Sequence, residues 1–124
     1  MSRYQELNVY TKSYELAKEM YREVAIRLPN EERYGLISQV KRASTSIPVN
    51  IAEGYGKGMG DKETIRHLMM AKGSESEMEV WLDFLKDFGY LTEEEHRGYR
   101  GRYEEIGRML TGLIQSMGKR TTRD

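Results

Sequence analysis

Cysteine is absent from the 124 residues of this sequence. The chain therefore has no disulfide framework, no thiolate nucleophile and no cysteine zinc site. Long hydrophobic runs are also missing, and the mean hydropathy is low, at −0.76. No stretch approaches the roughly 18 consecutive apolar residues that a membrane span needs, and the first residues lack the apolar run of a signal peptide. We therefore predict a cytoplasmic protein.

An excess of charge of one sign is missing as well, because twenty basic and twenty acidic residues give a net charge of zero. The charges are nevertheless unevenly spread. Residues 61–96 carry four basic and ten acidic side chains, and residues 97–124 carry seven basic and three acidic ones. Such asymmetry suits self-association or an anionic ligand. Ordinary solvated helix faces would explain it equally well.

The sequence does contain a helical period. Apolar residues recur at intervals of three and four in four stretches, which is the spacing of helices with one buried face. No stretch shows the strict alternation typical of a strand. Because the connectors are short, the sequence predicts an all-α fold, an antiparallel up-down-up-down four-helix bundle. The predicted core stripes are Tyr10, Tyr14, Ala17, Tyr21, Val24 and Leu28; Leu36, Val40, Ala43, Ile47, Asn50 and Gly54; Leu68, Ala71, Ser74, Met78, Trp81, Leu85 and Phe88; and Tyr99, Tyr103, Ile106, Leu110, Leu113 and Met117.

A second set of apolar residues lies beside those stripes. One small bundle cannot bury both sides of all its helices, so a second stripe is typical of an oligomer interface. We therefore predict that the chain associates with copies of itself. The residues of this set are Leu16, Met20, Ile37, Ile51, Met69, Met70 and Met109.

Two features interrupt the second helix and the segment after it. Pro48 removes a backbone donor and costs about 3 kcal/mol inside a helix, so we expect a kink there. The glycine-rich run over residues 54–60 has none of the spacings of a phosphate-binding loop, and it predicts a flexible connector.

The fourth helix has clear predicted limits. Thr92 and Glu95 form a capping box that predicts its start, and Gly118 predicts its end. We expect one domain over residues 1–118 and a disordered tail over residues 119–124. The sequence alone does not explain the four glycines inside this helix, which are Gly98, Gly101, Gly107 and Gly112.

Residues that could catalyse a reaction or bind a metal are sparse. The only two histidines are far apart in sequence, and Glu63 lies one turn before His67. Two ligands do not make a metal site, and no serine has a paired histidine and carboxylate at readable spacing. The sequence therefore predicts no enzymatic activity, no metal and no cofactor. We interpret the acidic cluster of Glu75, Glu77 and Glu79 as a solvated or interfacial face.

Basic residues form two groups that suit contacts with nucleic-acid phosphates. The looser group surrounds the corner between helices two and three, and the denser one lies on helix four, interleaved with tyrosines that suit base stacking. A solvated face, or pairing with the acidic third helix of a neighbouring subunit, explains the same residues at least as well. The candidates are Arg42, Lys57, Lys62, Arg66, Arg97, Arg100, Arg102 and Arg108.

One continuous run carries a family resemblance. Residues 39–54, QVKRASTSIPVNIAEG, resemble the signature of the bacterial four-helix bundle family first described from intervening sequences inserted in large-subunit ribosomal RNA genes. The run AKGS over residues 71–74, followed by Glu77 and Glu79, is similar to that family's third helix. The likeness covers nearly the whole chain.

The resemblance implies a bundle that assembles as a ring-shaped homopentamer without known catalysis. A related branch, the accessory variability proteins of diversity-generating retroelements, comprises basic pentamers that bind a reverse transcriptase and nucleic acid. Residues that match the signature are structural or interface candidates, and the alternative is that they only hold helices two and three together, because polar groups inside a bundle usually bond one another. These residues are Arg42, Ser46, Asn50, Glu53, Gly54, Gly73, Ser74 and Glu77.

The leading functional hypothesis is therefore a non-catalytic homo-oligomer, a pentamer by the resemblance, that associates with RNA or DNA. A reverse transcriptase is a further predicted partner, and no membrane contact is expected. The alternative hypothesis is a protein-interaction scaffold that binds no nucleic acid. Binding to phosphates must weaken steeply with salt, which distinguishes the two.

Overall fold

The computed structural model describes residues 4–123, with side chains as far as residue 120. Four main helices make up the fold, and no strand occurs in this part of the chain. The predicted all-α four-helix bundle is confirmed. None of the helices between residues 4 and 123 combines the length and hydrophobicity that crossing a membrane requires. The helices are α1 (Asn8–Glu19), α2 (Leu36–Gly56), α3 (Asp61–Asp87) and α4 (Glu93–Arg123).

The helices pack in the order of the sequence and run antiparallel. Helix α2 lies along α3, α3 along α4, and α1 against both α2 and α4, which closes the bundle. Ion pairs fix the direction of α3 against α4, because Asp61 at the start of α3 contacts Arg120 near the end of α4. At the opposite end of α3, Asp83 contacts Arg100.

Helix α2 buries the stripe that the sequence predicts. Every residue of that stripe, from Leu36 to Gly54, is buried. The helix continues through Pro48 and ends at Gly56, so the connector to α3 is shorter than the predicted glycine-rich run. The prediction of a flexible connector is therefore wrong for residues 54–56, which are helical. The reason is that Gly54 packs against α3. The kink at Pro48 stays a prediction.

Helix α1 and the segment after it bury only part of the predicted stripe. Ala17, Val24 and Leu28 are buried as predicted, whereas Tyr14 and Tyr21 are 45% and 42% exposed. Leu16 and Met20, which were predicted for the outer set, are fully buried instead. Both stripes have the same period, so spacing alone does not distinguish them. Burial of Leu16 and Met20 leaves the two tyrosine hydroxyls in water, where their hydrogen bonds cost nothing. A π-helical turn over Met20–Val24 follows and adds a residue to that turn, which rotates the rest of the segment.

The other residues of the predicted second set are divided between core and surface. Ile51 is fully buried, so its predicted place in an outer stripe is wrong. Met69 and Met70 are exposed, as that stripe requires. Phe88, predicted for the core, is also exposed on α3. Ile37 and Met109 are partly buried against the core.

The turn from α3 into α4 has the predicted chemistry. Gly89 has a φ of +83°, the left-handed conformation of a helix C-terminus. The Thr92 backbone N–H donates to Glu95 Oε1 at 3.0 Å, and the Glu95 N–H donates to Thr92 Oγ1 at 3.0 Å. The capping box and the start of α4 are thus confirmed.

The end of α4 differs from the prediction. The helix continues beyond Gly118 and includes residues 119–123, where a disordered tail was expected. The Arg120 guanidinium donates to the Asp61 carboxylate at 3.1 and 3.2 Å, which ties this last part of the helix to the start of α3. Residue 124 and the first three residues of the predicted domain lie outside the described residues.

Candidate functional site between the second and third helices

A chain of polar side chains runs through the contact between α2 and α3. The hydroxyl oxygens of Ser46 on α2 and Ser74 on α3 lie 2.8 Å apart. Asn50, one turn after Ser46, donates from Nδ2 to the Ser46 carbonyl at 2.9 Å and to Ser46 Oγ at 3.1 Å. Asn50 Oδ1 lies 3.3 Å from Nδ1 of His67. Four side chains therefore link the two helices through their buried faces.

The hydrogen bonds assign the tautomer of His67. Because the amide nitrogen of Asn50 donates to Ser46, its oxygen faces His67 and can only accept, so His67 Nδ1 carries the proton. Lys57 Nζ and Arg66 Nη2 lie 3.2 and 3.3 Å from Nε2, so both nitrogens of the buried imidazole have partners.

Close approach of the two helices depends on Gly54. A Cβ placed on Gly54 would lie only 2.9 Å from the Cβ of His67. The Thr64 hydroxyl uses this proximity to donate to the Gly54 carbonyl at 2.8 Å. A glycine is therefore required here for space, with no special backbone conformation.

A second polar group lies farther toward the start of α2. Arg42 forms an ion pair with Glu77 of α3 and donates to Gln39 Oε1 at 2.8 Å. The Trp81 indole donates to Glu77 Oε2 at 3.0 Å. Arg42, predicted to contact nucleic acid, is thus engaged by another residue of the same family signature.

Six of the eight signature residues form contacts that join α2 to α3, which fits the interpretation that they hold these helices together. Glu53 is exposed on α2, and Gly73 is exposed on α3 with no atom that an added Cβ would meet. Nothing in the structure explains why these two belong to the signature. The six that act together are Arg42, Ser46, Asn50, Gly54, Ser74 and Glu77.

The central place of His67 in this group is not predicted by the sequence. Its position one turn after Glu63 suggests only a metal ligand, and Glu63 Oε1 lies 3.6 Å from His67 Nε2. No group of three or more His, Cys, Asp or Glu residues that could hold a metal occurs within residues 4–123. The available signal was the spacing of Thr64, His67 and Ser74, which places three polar residues on the α3 face that meets α2.

Most of the predicted nucleic-acid residues have partners inside the chain. Arg66 pairs with Glu63, and Arg102 pairs with Glu19. The guanidinium of Arg102 holds the pKa of Glu19 below its usual value. Arg42, Lys57 and Arg100 also have the contacts given above. Those that are exposed and form no ion pair with another described residue are Lys62, Arg97 and Arg108.

The structure does not bring the eight basic residues together. Lys57, Lys62 and Arg66 lie at the corner where α2 meets α3, whereas Arg97 and Arg100 lie at the opposite end of the bundle.

A buried carboxyl that the sequence placed on the surface lies between α3 and α4. Glu75 is fully buried, and a Cβ added to Gly107 would clash with its Oε1. Lys72 Nζ forms an ion pair with Oε1 at 3.2 Å, and neither carboxyl oxygen forms a hydrogen bond with another described residue. Burial, with the nearby Glu79 carboxylate, raises the pKa of Glu75 to about 8. The assignment of Glu75 to a solvated face is therefore wrong, and its contact explains Gly107.

Comparison with known proteins shows similarity to one family model and to solved structures. A family model described as 23S rRNA-intervening sequence protein matches residues 5–112. A crystal structure at 1.70 Å of a protein of unknown function from the S23 ribosomal protein family of Bacteroides thetaiotaomicron VPI-5482 is 29% identical, with a TM-score of 0.77. That match covers 86% of this chain and 97% of the other. No curated protein matches the sequence.

Proposed function

Because the chain belongs to the 23S rRNA-intervening sequence protein family, we propose that it is a non-catalytic homo-oligomer that acts as a protein-interaction scaffold. The resemblance over residues 39–54 supports a ring of five copies. The role then belongs to the assembly, and the polar contacts between α2 and α3 keep each subunit in the shape that the assembly needs.

The observation that carries this proposal is the apolar surface of the single chain. Large apolar side chains are exposed on two parts of the chain. They are Tyr14 and Tyr21 on α1 and its π-helical turn, and Val80, Phe84 and Phe88 on and just after α3. Monomeric soluble proteins rarely leave large apolar residues in contiguous exposed patches, and such patches mark interaction sites. Burial against other copies would remove this surface from water.

Light scattering of the purified protein tests the assembly. The expected mass is five times the 14.5 kDa of one chain. A mass of 14.5 kDa at micromolar concentration would contradict the proposal. A mass that corresponds to a different number of copies would support the homo-oligomer and contradict only the pentamer.

A second candidate function is association with nucleic acid. Lys62, Arg97 and Arg108 support it, because they are exposed and have no acidic partner among the described residues. The internal pairing of the other predicted residues favours the scaffold. In a ring, however, each free cation would be repeated in every subunit, which strengthens binding to a long anion.

A mobility-shift titration with structured RNA and duplex DNA tests this candidate. Binding is expected at low salt and must fall steeply as salt rises. A variant with glutamine at positions 62, 97 and 108 should lose the shift while keeping the mass of the assembly. No shift at low salt would leave the scaffold as the function.

A pull-down after nuclease treatment tests the predicted reverse transcriptase partner, which immobilised protein should retain.

A further inference from the structure

An apolar groove lies between α1 and α2 on the outer surface of the bundle. Its volume is about 430 Å³. Three tyrosines form one wall, and the ring of Tyr10 stacks on that of Tyr14 at 5.8 Å. The opposite wall comes from α2, where Pro48 and the exposed Val49 leave the surface smooth. The groove is lined by Tyr10, Tyr14, Tyr21, Pro48, Val49 and Ala52, among others.

A row of aromatic side chains forms a ridge on a different face of the same chain. Along α3, the ring of Phe84 lies 5.8 Å from that of Trp81 and 5.7 Å from that of Phe88. Phe84 is 41% exposed and Phe88 is 58% exposed. Spacings of three and four residues keep these rings on one side of the helix. The groove of the same chain cannot receive this ridge, because α1 and α3 lie diagonally across the bundle and do not touch within the described residues.

Charged side chains at the edges of the two surfaces are complementary. Arg22 lines the groove, and Lys41 Nζ lies 4.7 Å above the ring of Tyr21. The other carboxylates of the ridge part of α3 are paired with arginines of the same chain or buried. Asp87 is exposed beside Phe88 and forms no ion pair with another described residue, so it is free to pair with a cation of the groove and fix the register of the contact.

We propose that the α3 ridge of one copy docks into the α1–α2 groove of a second copy, in a head-to-tail contact. This inference rests on the proposed homo-oligomerisation and names the surfaces that carry it. The groove and the ridge are different patches, so each copy still offers a free groove or a free ridge after the first contact. A heterologous contact of this kind closes into a ring when the rotation per subunit allows it.

Single charge substitutions on each surface test the contact in the full chain. Tyr14→Glu places a carboxylate in the groove, and Phe84→Glu places one on the ridge. Both side chains are partly exposed, and circular dichroism checks that the variants keep their helices. Ser116→Glu, at an exposed position on α4, is the matched control. Light scattering should show the mass of one chain for each of the first two variants and the wild-type mass for the control.

Mixing the two monomeric variants distinguishes a head-to-tail contact from a symmetric one. The groove variant keeps its ridge, and the ridge variant keeps its groove, so one intact contact can form between them. The mixture should therefore give a 1:1 dimer of twice the single-chain mass that grows no further. If either variant does not fold, Val49→Glu in the groove and Phe88→Glu on the ridge replace the pair.

The outcomes separate this inference from the proposed function. A monomeric wild type would overturn the homo-oligomer and this contact with it. A wild-type oligomer that keeps its mass in both folded variants would overturn only the groove and ridge. Two monomeric variants that remain monomers when mixed would overturn the head-to-tail arrangement.

Discussion

At the scale of single residues, Glu75 is the clearest case in which environment changes chemistry. Its carboxyl group lies against the backbone of α4 at Gly107 without a hydrogen-bond donor. Burying an ionised carboxylate is costly, so the protonated form is favoured, and the pKa rises from 4.5 to about 8. Between these two values the folded chain keeps a proton that the unfolded chain releases.

We therefore expect the stability from Glu75 to be full below about pH 4.5 and to be lost as pH rises through about 8. The slope for one group is at most about 1.4 kcal/mol per pH unit. Urea unfolding of the wild type and of Glu75→Gln between pH 5.5 and pH 9 should show a flatter profile for the variant. Glu94→Gln, at an exposed position, is the control and should follow the wild type. Parallel profiles for the wild type and Glu75→Gln would contradict this role.

The two signature glycines Gly54 and Gly73 should respond oppositely to alanine. At Gly54 the new Cβ would lie 2.9 Å from His67 Cβ and 3.4 Å from the Thr64 carbonyl oxygen, so the helices must separate. We expect Gly54→Ala to destabilise the chain by about 1–3 kcal/mol, as overpacking of a core does. Gly73→Ala meets no atom and should stabilise α3 by up to about 1 kcal/mol. Chemical unfolding measures both, and a stable Gly54→Ala variant would refute the close contact.

At the scale of helices, the start of α4 combines a cap with a long-range ion pair. The Arg27 guanidinium lies 2.7 Å from Glu95 Oε2 and joins the end of the first helical segment to the capping box. This hydrogen bond, with that from the Thr92 backbone, lowers the pKa of Glu95 to about 2. The carboxylate therefore remains charged at neutral and mildly acidic pH.

Removing the hydroxyl of Thr92 should weaken the N-terminal cap of α4. Thr92→Ala leaves the Glu95 backbone N–H without its 3.0 Å acceptor, and the loss of such a cap costs about 1 kcal/mol. Thermal unfolding should show a lower midpoint for Thr92→Ala and a nearly unchanged one for Thr92→Ser, which keeps the hydroxyl. Equal midpoints for the alanine and serine variants would show that the cap contributes nothing.

The elements differ in how far their sequence determines them. The buried stripe of helix α2 could be predicted from its period, because charged residues such as Arg42 and Glu53 occupy the exposed side of that helix. Helix α1 carries two stripes with the same period, and only the packing of Leu16 and the π-helical turn at Met20–Val24 decide between them. The end of α4 depends on Arg120 reaching Asp61, a contact with no local signal in the sequence.

The candidate site shows the same limit. Ser46, Asn50 and Ser74 could be identified from the family signature, but the spacing of His67 with Thr64 and Ser74 indicates only a shared face of α3 and not the partners of the imidazole. Those partners are Asn50 on one side and Lys57 on the other. Such contacts form only after α2 and α3 have packed, so periodicity and composition do not contain them.

At the scale of the whole molecule, the stability of the fold should depend on the concentration of the chain. If the folded subunits associate and the unfolded ones do not, mass action shifts the equilibrium toward the folded state as concentration rises. We expect the midpoint of thermal unfolding of the wild type to rise over a hundredfold increase in concentration. The Phe84→Glu variant should show a constant midpoint, and Ser116→Glu should follow the wild type. A midpoint that is independent of concentration in the wild type would mean that the exposed apolar residues of α1 and α3 contribute nothing through self-association.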